Sequence, residues 1–354
     1  MKDKLLNGVS DSDKIIAVRF VEWVIALTNV SKYFHDQLRE ILDLIFEHFF
    51  NEETLIKVTL IDLIVDICEA KWNAEYMIEN GFITRMLNEA VESGDVYGLI
   101  NHRLIVNIAC IYSRFPDEFA ITDEYFYFLK ANMESTQSSD RDWVLNALFF
   151  LLVNKKSLDV LVTDTEFIIN WLRTANYMSE DLRKSFFLSM KSLLHIPKDS
   201  DLTEEYNELI YKIFSNVGSP ANYNEGNGSI KDSVAHFVKY VILPVETTEA
   251  KVSHFNLLEE LIQWHWGFKE LFKNGNFCKY LLNRNQSELK PLLEVKYEFV
   301  KKVISSPFYD AKMECIDSTI AEQLKNYYKN GIYGVEIEEI DNVHTFQVAT
   351  EGSG

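Results

Sequence analysis

A short motif recurs along the chain, and this internal repeat constrains the fold more than any other feature of the sequence. One copy reads YMIENGFITRMLN around residue 80, and another reads LFKNGNFCKYLLN around residue 275. Each contains an apolar pair, Asn-Gly, a phenylalanine, a basic residue and a second apolar pair followed by asparagine. A weaker copy, VLVTDTEFIINWL at 160–172, keeps the apolar pattern and the phenylalanine. We take Phe82, Phe167 and Phe277 as equivalent positions.

The motif predicts a tight joint between two helices. A glycine that follows a helix readily adopts the left-handed conformation that closes the helix C-terminus. We therefore predict that Gly81 and Gly275 each end one helix and that a short helix then packs back on it. Such helix pairs cannot bury their apolar faces alone and must stack into an elongated array. Repeats of the armadillo and HEAT type are about 40–47 residues long, so roughly seven to nine would fit this chain.

Helical periodicity continues outside the motif. Within 14–30, one apolar face should need a covering partner; it consists of Ile16, Phe20, Trp23 and Leu27. Within 54–70 nearly every residue is apolar except a thin polar stripe, which predicts a helix packed between neighbours. The stripe consists of Thr59, Asp62, Asp66 and Glu69. Further helices are predicted at roughly 36–50, 96–114, 122–134, 141–154, 180–195, 203–216, 230–243 and 252–265.

The prolines mark the predicted helix boundaries. Pro291 fits the first turn of a helix on which Glu298 and Lys302 would pair across one turn. That helix should bury Leu293, Tyr297, Val300 and Ile304. The other five prolines fall where helices should start or stop, at Pro116, Pro197, Pro220, Pro244 and Pro307.

These patterns favour an all-α fold, an armadillo/HEAT-like α-solenoid of irregular helical repeats. We expect one solenoid over residues 1–330, with a surface loop insertion near 215–229 whose sequence, SNVGSPANYNEGNGS, carries no phosphate-binding signature. A short extended tail should follow over 331–354. It contains VEIEEI at 335–340, which has the period-two pattern of a strand.

Composition narrows the possible partners. The chain has 54 Asp and Glu against 35 Lys and Arg, a formal net charge of −19. Because such a surface repels nucleic acid and anionic lipid, we expect neither as a partner. The N-terminus has no signal-peptide pattern and no apolar run spans a bilayer, which predicts a protein of the cytosol or nucleus. The widely spaced cysteines, Cys68, Cys110, Cys278 and Cys315, suit reduced thiols in a core.

Residues that could carry chemistry are few. His254, His265 and Cys278 come closest to a metal-ligand set, but their spacing matches no zinc motif. Trp264 and Trp266 could stack on a ligand, although two positions apart on a helix they face different directions. Acidic groups such as Glu338 with Glu339, or Asp201 with Glu204 and Glu205, are typical of solvated faces and helix caps. We predict no catalytic, cofactor or metal site, hence no enzyme, and no residue can be assigned to partner binding.

The region from residue 264 to about 303 resembles the C-terminal repeats of the non-ATPase regulatory subunit 5 family of the 26S proteasome, armadillo/HEAT-type chaperones of base assembly. The tail LKNYYKNGIYGVE is similar to the family's ending, in which Gly331, Tyr333 and Val335 match. IYSRFPDEF (111–119) and SLLHIP (192–197) are also similar. The other matching positions are a tryptophan (Trp264 or Trp266), Phe272, Phe277, Tyr280, Arg284, Lys296, Tyr297, Glu298, Val300 and Lys301.

The resemblance implies a binding function. Family members bind the small C-terminal helical domain of an ATPase subunit of the proteasome base, hold it in an assembly intermediate with neighbouring base subunits, and block premature docking on the core particle. Two alternatives remain at this point. One is a generic armadillo-type scaffold or transport adaptor. The other is a helical enzyme that uses His254, His265 and Cys278.

Overall fold

In the computed structural model, every regular element of the described residues is a helix. The structure describes residues 14–51, 54–92, 99–115, 121–174, 180–195, 204–225, 228–243, 247–284, 289–305 and 316–334. The α-helices are α1 Lys14–Val30, α2 Lys32–Asn51, α3 Thr54–Ile67, α4 Lys71–Glu79, α5 Phe82–Glu92, α6 Leu99–Arg114, α7 Asp123–Glu134, α8 Ser138–Leu151, α9 Lys155–Leu161, α10 Thr165–Arg173, α11 Glu180–Leu194, α12 Glu204–Ser215, α13 Ile230–His236, α14 Thr248–Leu261, α15 His265–Lys273, α16 Gly275–Leu282, α17 Lys290–Ser305 and α18 Ser318–Lys329. A 3₁₀ helix spans Pro220–Glu225, and a π-helical turn, Phe237–Ile242, continues α13.

The helices form two rows. In the first, which we call the long-helix row, each helix packs on the next in the order α1, α3, α6, α8, α11, α14 and α17. Shorter helices cover this row and pack on one another, among them α4, α5, α7 and α10 in the N-terminal half and α13, α15, α16 and α18 in the C-terminal half. The buried apolar residues between the rows form one continuous core. The predicted all-α solenoid is confirmed for the described residues.

The long helices recur at a nearly constant interval. Helices α3, α6, α8 and α11 begin at residues 54, 99, 138 and 180, which is a spacing of about 42 residues, typical of armadillo and HEAT units. The next member, α14, begins only at residue 248, because α12, the 3₁₀ helix and α13 are inserted. This one long unit explains why the motif copies are unevenly spaced in the sequence.

The repeated motif is a joint between two short helices, as predicted. Its three copies correspond to the pairs α4–α5, α9–α10 and α15–α16, and Phe82, Phe167 and Phe277 are all buried in the core. The three phenylalanines are therefore equivalent in the structure as well as in the sequence.

The joints close in two different ways. Gly81 follows α4 with φ of +69°, the left-handed conformation that the sequence predicted. The same prediction is wrong for Gly275, which has no positive φ and is the first residue of α16. There the preceding Asn274 is the N-cap, and its side chain accepts hydrogen bonds from the amides of Asn276 and Phe277. Asp164 caps α10 in the same way by accepting from the amide of Phe167.

Helix α3 lies between neighbours, as its composition predicts. It packs on α1, α2 and α6, and the residues of its polar stripe are its exposed positions. On α1 the prediction is only partly correct. Phe20 and Leu27 pack against the core, but the fully buried face is offset from the expected one and carries Val21, Val24 and Ile25. Ile16 and Trp23 remain 52% and 46% exposed.

Polar contacts tie successive long helices together. Ser185 of α11 donates a 2.5 Å hydrogen bond to Asp142 of α8, and Lys302 of α17 pairs with Glu259 of α14. The predicted partner of Lys302 was Glu298, which instead pairs with Lys301 at 3.1 Å. Lys302 reaches the neighbouring repeat because both helices expose their polar faces on the same side. Pro291 lies in the first turn of α17, as predicted.

The segment after α12 is more ordered than a surface loop. Val217 and Tyr223 are buried, and the 3₁₀ helix packs on α10. Lys212 lies over the Tyr223 ring, 4.5 Å from its centre, so the prediction of a surface insertion is wrong at these positions. VEIEEI, Asp201 and the Glu338–Glu339 pair lie outside the described residues, as do Pro116, Pro197, Pro244 and Pro307.

The two joint glycines allow a matched test. Gly81→Ala places a side chain in the left-handed region and should lower the free energy of unfolding by about 1–2 kcal/mol. Gly275→Ala, in a helical first turn with nothing within 4 Å of the added methyl group, should leave stability unchanged or slightly higher. Urea unfolding followed by circular dichroism measures both. Equal destabilisation of the two variants would contradict the assignment of two joint types.

The cap at Asp164 predicts a pH dependence. Burial alone would raise the pKa of Asp164, but hydrogen bonds from Lys130 Nζ at 2.7 Å and from the Phe167 amide outweigh it and lower the pKa. A carboxyl whose folded pKa is lowered stabilises the fold above its unfolded pKa, and this stability is lost as the pH falls through the folded value. Asp164→Asn keeps an acceptor but no charge. At pH 7 the variant should have a lower melting temperature than the wild type, and this difference should shrink below pH 4 as Asp164 of the wild type is protonated. A difference that stays constant with pH would contradict the charge effect.

Candidate protein-binding surfaces

The three residues closest to a metal-ligand set do not converge. His254 and Cys278 are buried, whereas His265 is exposed on the first turn of α15. The thiol of Cys278 donates to the carbonyl of Phe272 at 3.2 Å. Within the described residues, no group of three or more His, Cys, Asp or Glu side chains could hold a metal ion.

His254 instead belongs to a buried polar contact between repeats. Its Nε2 lies 3.2 Å from the hydroxyl of Tyr280, and burial, reinforced by Lys251 and Lys296, lowers its pKa to about 3. The fully buried Lys296 donates from Nζ to the carbonyl of Asn283 at 3.2 Å and lies over the Tyr280 ring. The imidazole is therefore uncharged near pH 7, and its contact with Tyr280 joins α14 to α16.

The two tryptophans are structural. Trp264 is the N-cap residue of α15, and its Nε1 donates to the carbonyl of Leu194 at 3.0 Å, which links α15 to the end of α11. Trp266 is half-buried against Phe214 and Tyr211. One ring is thus in the core and the other at its edge, but the ring centres lie only 5.7 Å apart. The prediction that the two tryptophans face different directions is wrong, because Trp264 precedes the helix.

The cysteines behave as core thiols where the structure describes them. Cys68 and Cys278 are buried, and burial raises their pKa to about 12 and about 11, so both are protonated at neutral pH. Cys110 is half-buried and free, and Cys315 lies outside the described residues. No helix among the described residues is both long and apolar enough to cross a membrane.

The residues that carry the family resemblance are mostly packing residues. Phe272 and Phe277 are buried and meet edge to face. Arg284 donates to the carbonyl of Tyr327 and stacks over its ring at 3.9 Å, which attaches α18 to the end of α16. The chain then turns through Gly331 and Gly334, both with positive φ, and Gly334 lies against the Arg284 guanidinium.

A surface suited to a protein partner lies at the N-terminal end of the long-helix row. We call it the α1–α3 surface; it consists of the exposed Ile16, Trp23 and Val30 on α1 and a group of neighbouring carboxylates on α1 and α3 and just after α3, namely Glu22, Asp62, Asp66 and Glu69. The sequence did not reveal this surface, because the stripe that contains Ile16 and Trp23 has the spacing of a core face. The signal was present, since a second apolar stripe on the same helix carries Val21, Val24 and Ile25.

The carboxylates of this surface interact with one another. Partial burial raises the pKa of Asp66, and the nearby charges of Glu69, Asp62 and Glu22 contribute in the same direction, while Arg114 opposes them. Arg19 pairs with Glu22 at 2.7 Å and Arg103 pairs with Asp62, which leaves the negative charge of Asp66 and Glu69 as the excess on this surface. Together with exposed apolar side chains, it suits a basic protein surface with an apolar anchor.

Comparison with known proteins identifies a family. No curated protein matches the chain. Among solved structures, the crystal structure of an engineered protein is similar at 11% sequence identity with a TM-score of 0.32, covering 91% of this chain and 98% of that chain. The family model described as "Proteasome non-ATPase 26S subunit" matches residues 1–344, nearly the whole length. The resemblance seen in the C-terminal repeats is thereby confirmed, and the chain belongs to the family of proteasome non-ATPase 26S subunits.

Proposed function

We propose that this protein is a non-catalytic chaperone of proteasome assembly. It binds an ATPase subunit of the regulatory-particle base through that subunit's C-terminal helical domain, while the base is being assembled. By occupying this domain it blocks premature docking on the core particle. The observation that carries the proposal is the family match over residues 1–344, taken with the resemblance of the C-terminal repeats.

The physical character of the molecule supports this role. A two-row array of helices offers a long, rigid surface for a folded partner domain without a cofactor. Its net charge of −19 favours a basic partner and would speed association at low ionic strength. His254 and Cys278, two of the three candidates for chemistry, are buried and form contacts in joints between helices.

Affinity purification tests the proposal directly. The tagged, folded chain should recover a proteasomal ATPase base subunit from cell extract, without core particle in the same eluate. A second capture with purified C-terminal domains of the base ATPases would identify the partner. If the folded protein recovers no ATPase subunit, or enriches peptide cargo or a signalling complex instead, the general scaffold or adaptor becomes the better description.

We expect the α1–α3 surface to contribute to this contact. The double variant Asp66→Lys with Glu69→Lys should weaken capture of the ATPase subunit about tenfold or more, because attraction to a basic domain becomes repulsion. The matched control, Glu208→Lys with Glu322→Lys, makes the same change of charge at exposed positions on α12 and α18. Titration by fluorescence anisotropy in low and moderate salt measures both. Equal loss in the two variants would mean that overall charge, and no particular surface, sets the affinity.

A further inference from the structure

An open cleft lies at the other end of the array, between α16 and α18. Its volume is about 680 Å³. Its floor includes the buried Cys278 and Tyr327, and its apolar walls include Leu282 and Ile320. No helix among the described residues fills it.

The polar groups of the cleft are of two kinds. Asn283, Gln323 and Asn326 present side-chain amides, which can both donate to and accept from a peptide backbone. Lys279 and Arg284 contribute positive charge, and no acidic residue lines the cleft in the part of the chain that the structure describes. In a protein of net charge −19, this is an unusual surface, and it suits an extended segment that alternates apolar and acidic residues.

The chain itself contains such a segment. Residues 335–341 read VEIEEID, in which Val335 and Ile337 alternate with Glu336 and Glu338. The segment follows Gly334 directly, and a Cβ at Gly334 would lie 2.6 Å from Nη1 of Arg284, a residue of the cleft wall. The described chain therefore ends at the rim of the cleft, immediately before this segment in the sequence.

The dimensions also agree. Seven residues in extended conformation span about 23 Å. Helix α18, which forms one wall of the cleft, has 12 residues and so is about 18 Å long. A segment of this length that leaves the rim can follow the whole wall, with its apolar side chains toward Leu282 and Ile320 and its carboxylates toward Lys279.

We propose that the cleft between α16 and α18 is a docking groove for the chain's own residues 335–341. Bound there, the acidic segment would cover the apolar end of the array and would compete with any partner segment of similar chemistry. This inference does not depend on the identity of the assembly partner.

Binding of a labelled peptide tests the proposal on full-length protein. The peptide carries the sequence of residues 335–349. It should bind the wild-type chain weakly, because the tethered segment is present at an effective concentration in the millimolar range. It should bind at least tenfold more tightly to the tail variant, which carries Glu336→Lys, Glu338→Lys and Glu339→Lys and can no longer compete.

Two further changes locate the binding site. Lys279→Glu, added to the tail variant, should reduce peptide affinity at least tenfold. Lys329→Glu on the same background is the matched control, since Lys329 is exposed on α18 but outside the cleft, and it should change affinity less than twofold. Circular dichroism and thermal unfolding establish that all variants are folded.

The alternatives give different results. Equal affinity of the wild type and the tail variant would overturn docking in cis, and would indicate a groove that takes a partner segment. Absence of binding to every chain would overturn the docking groove altogether. Full affinity in the Lys279→Glu background would place the peptide outside the cleft and overturn the proposal.

Discussion

The packing of each long helix on the next is the constraint on which the rest of the structure depends. A short helix pair buries too little apolar surface to be stable alone, and each large apolar side chain contributes only about 1.5–3 kcal/mol when it is buried. The row from α1 to α17 is therefore continuous, and even the long unit that contains α12 and α13 returns α14 onto α11. The inserted elements belong to the layer of shorter helices, so they do not interrupt the long-helix row.

Within the described residues, the array ends at α1 on one side and at α16 and α18 on the other. Terminal units of such arrays usually carry a polar outer face. Here α1 leaves Trp23 and Ile16 substantially exposed, and α16 with α18 leaves a partly apolar cleft. The first end is bordered by carboxylates and the second by Lys279 and Arg284, so the two ends suit ligands of opposite charge.

The sequence predicted the long helices because their apolar runs are long and are interrupted by polar residues at helical spacing. Helix α3 is the clearest example, since its polar residues are few and their spacing admits only one exposed face. Sequence reasoning failed where one pattern fits two physical solutions. Asn-Gly can end a helix, as at Gly81, or begin one, as at Asn274; helix α1 has two apolar stripes, and periodicity alone does not show which of them meets the core. The partner of Lys302 was missed because it lies in the next repeat.

The residues that carry the family resemblance are not the ones that determine which partner is bound. Phe277, Tyr280, Lys296 and Arg284 hold α14, α16, α17 and α18 together through buried contacts, so they define the scaffold and contribute little exposed surface. Two chains could share all these joints and still bind different proteins. Selectivity must then come from the exposed positions that the joints support, where a change of charge costs little stability. For this chain those positions are concentrated at the two ends of the array, and the charge placed there determines which ligand each end can accept.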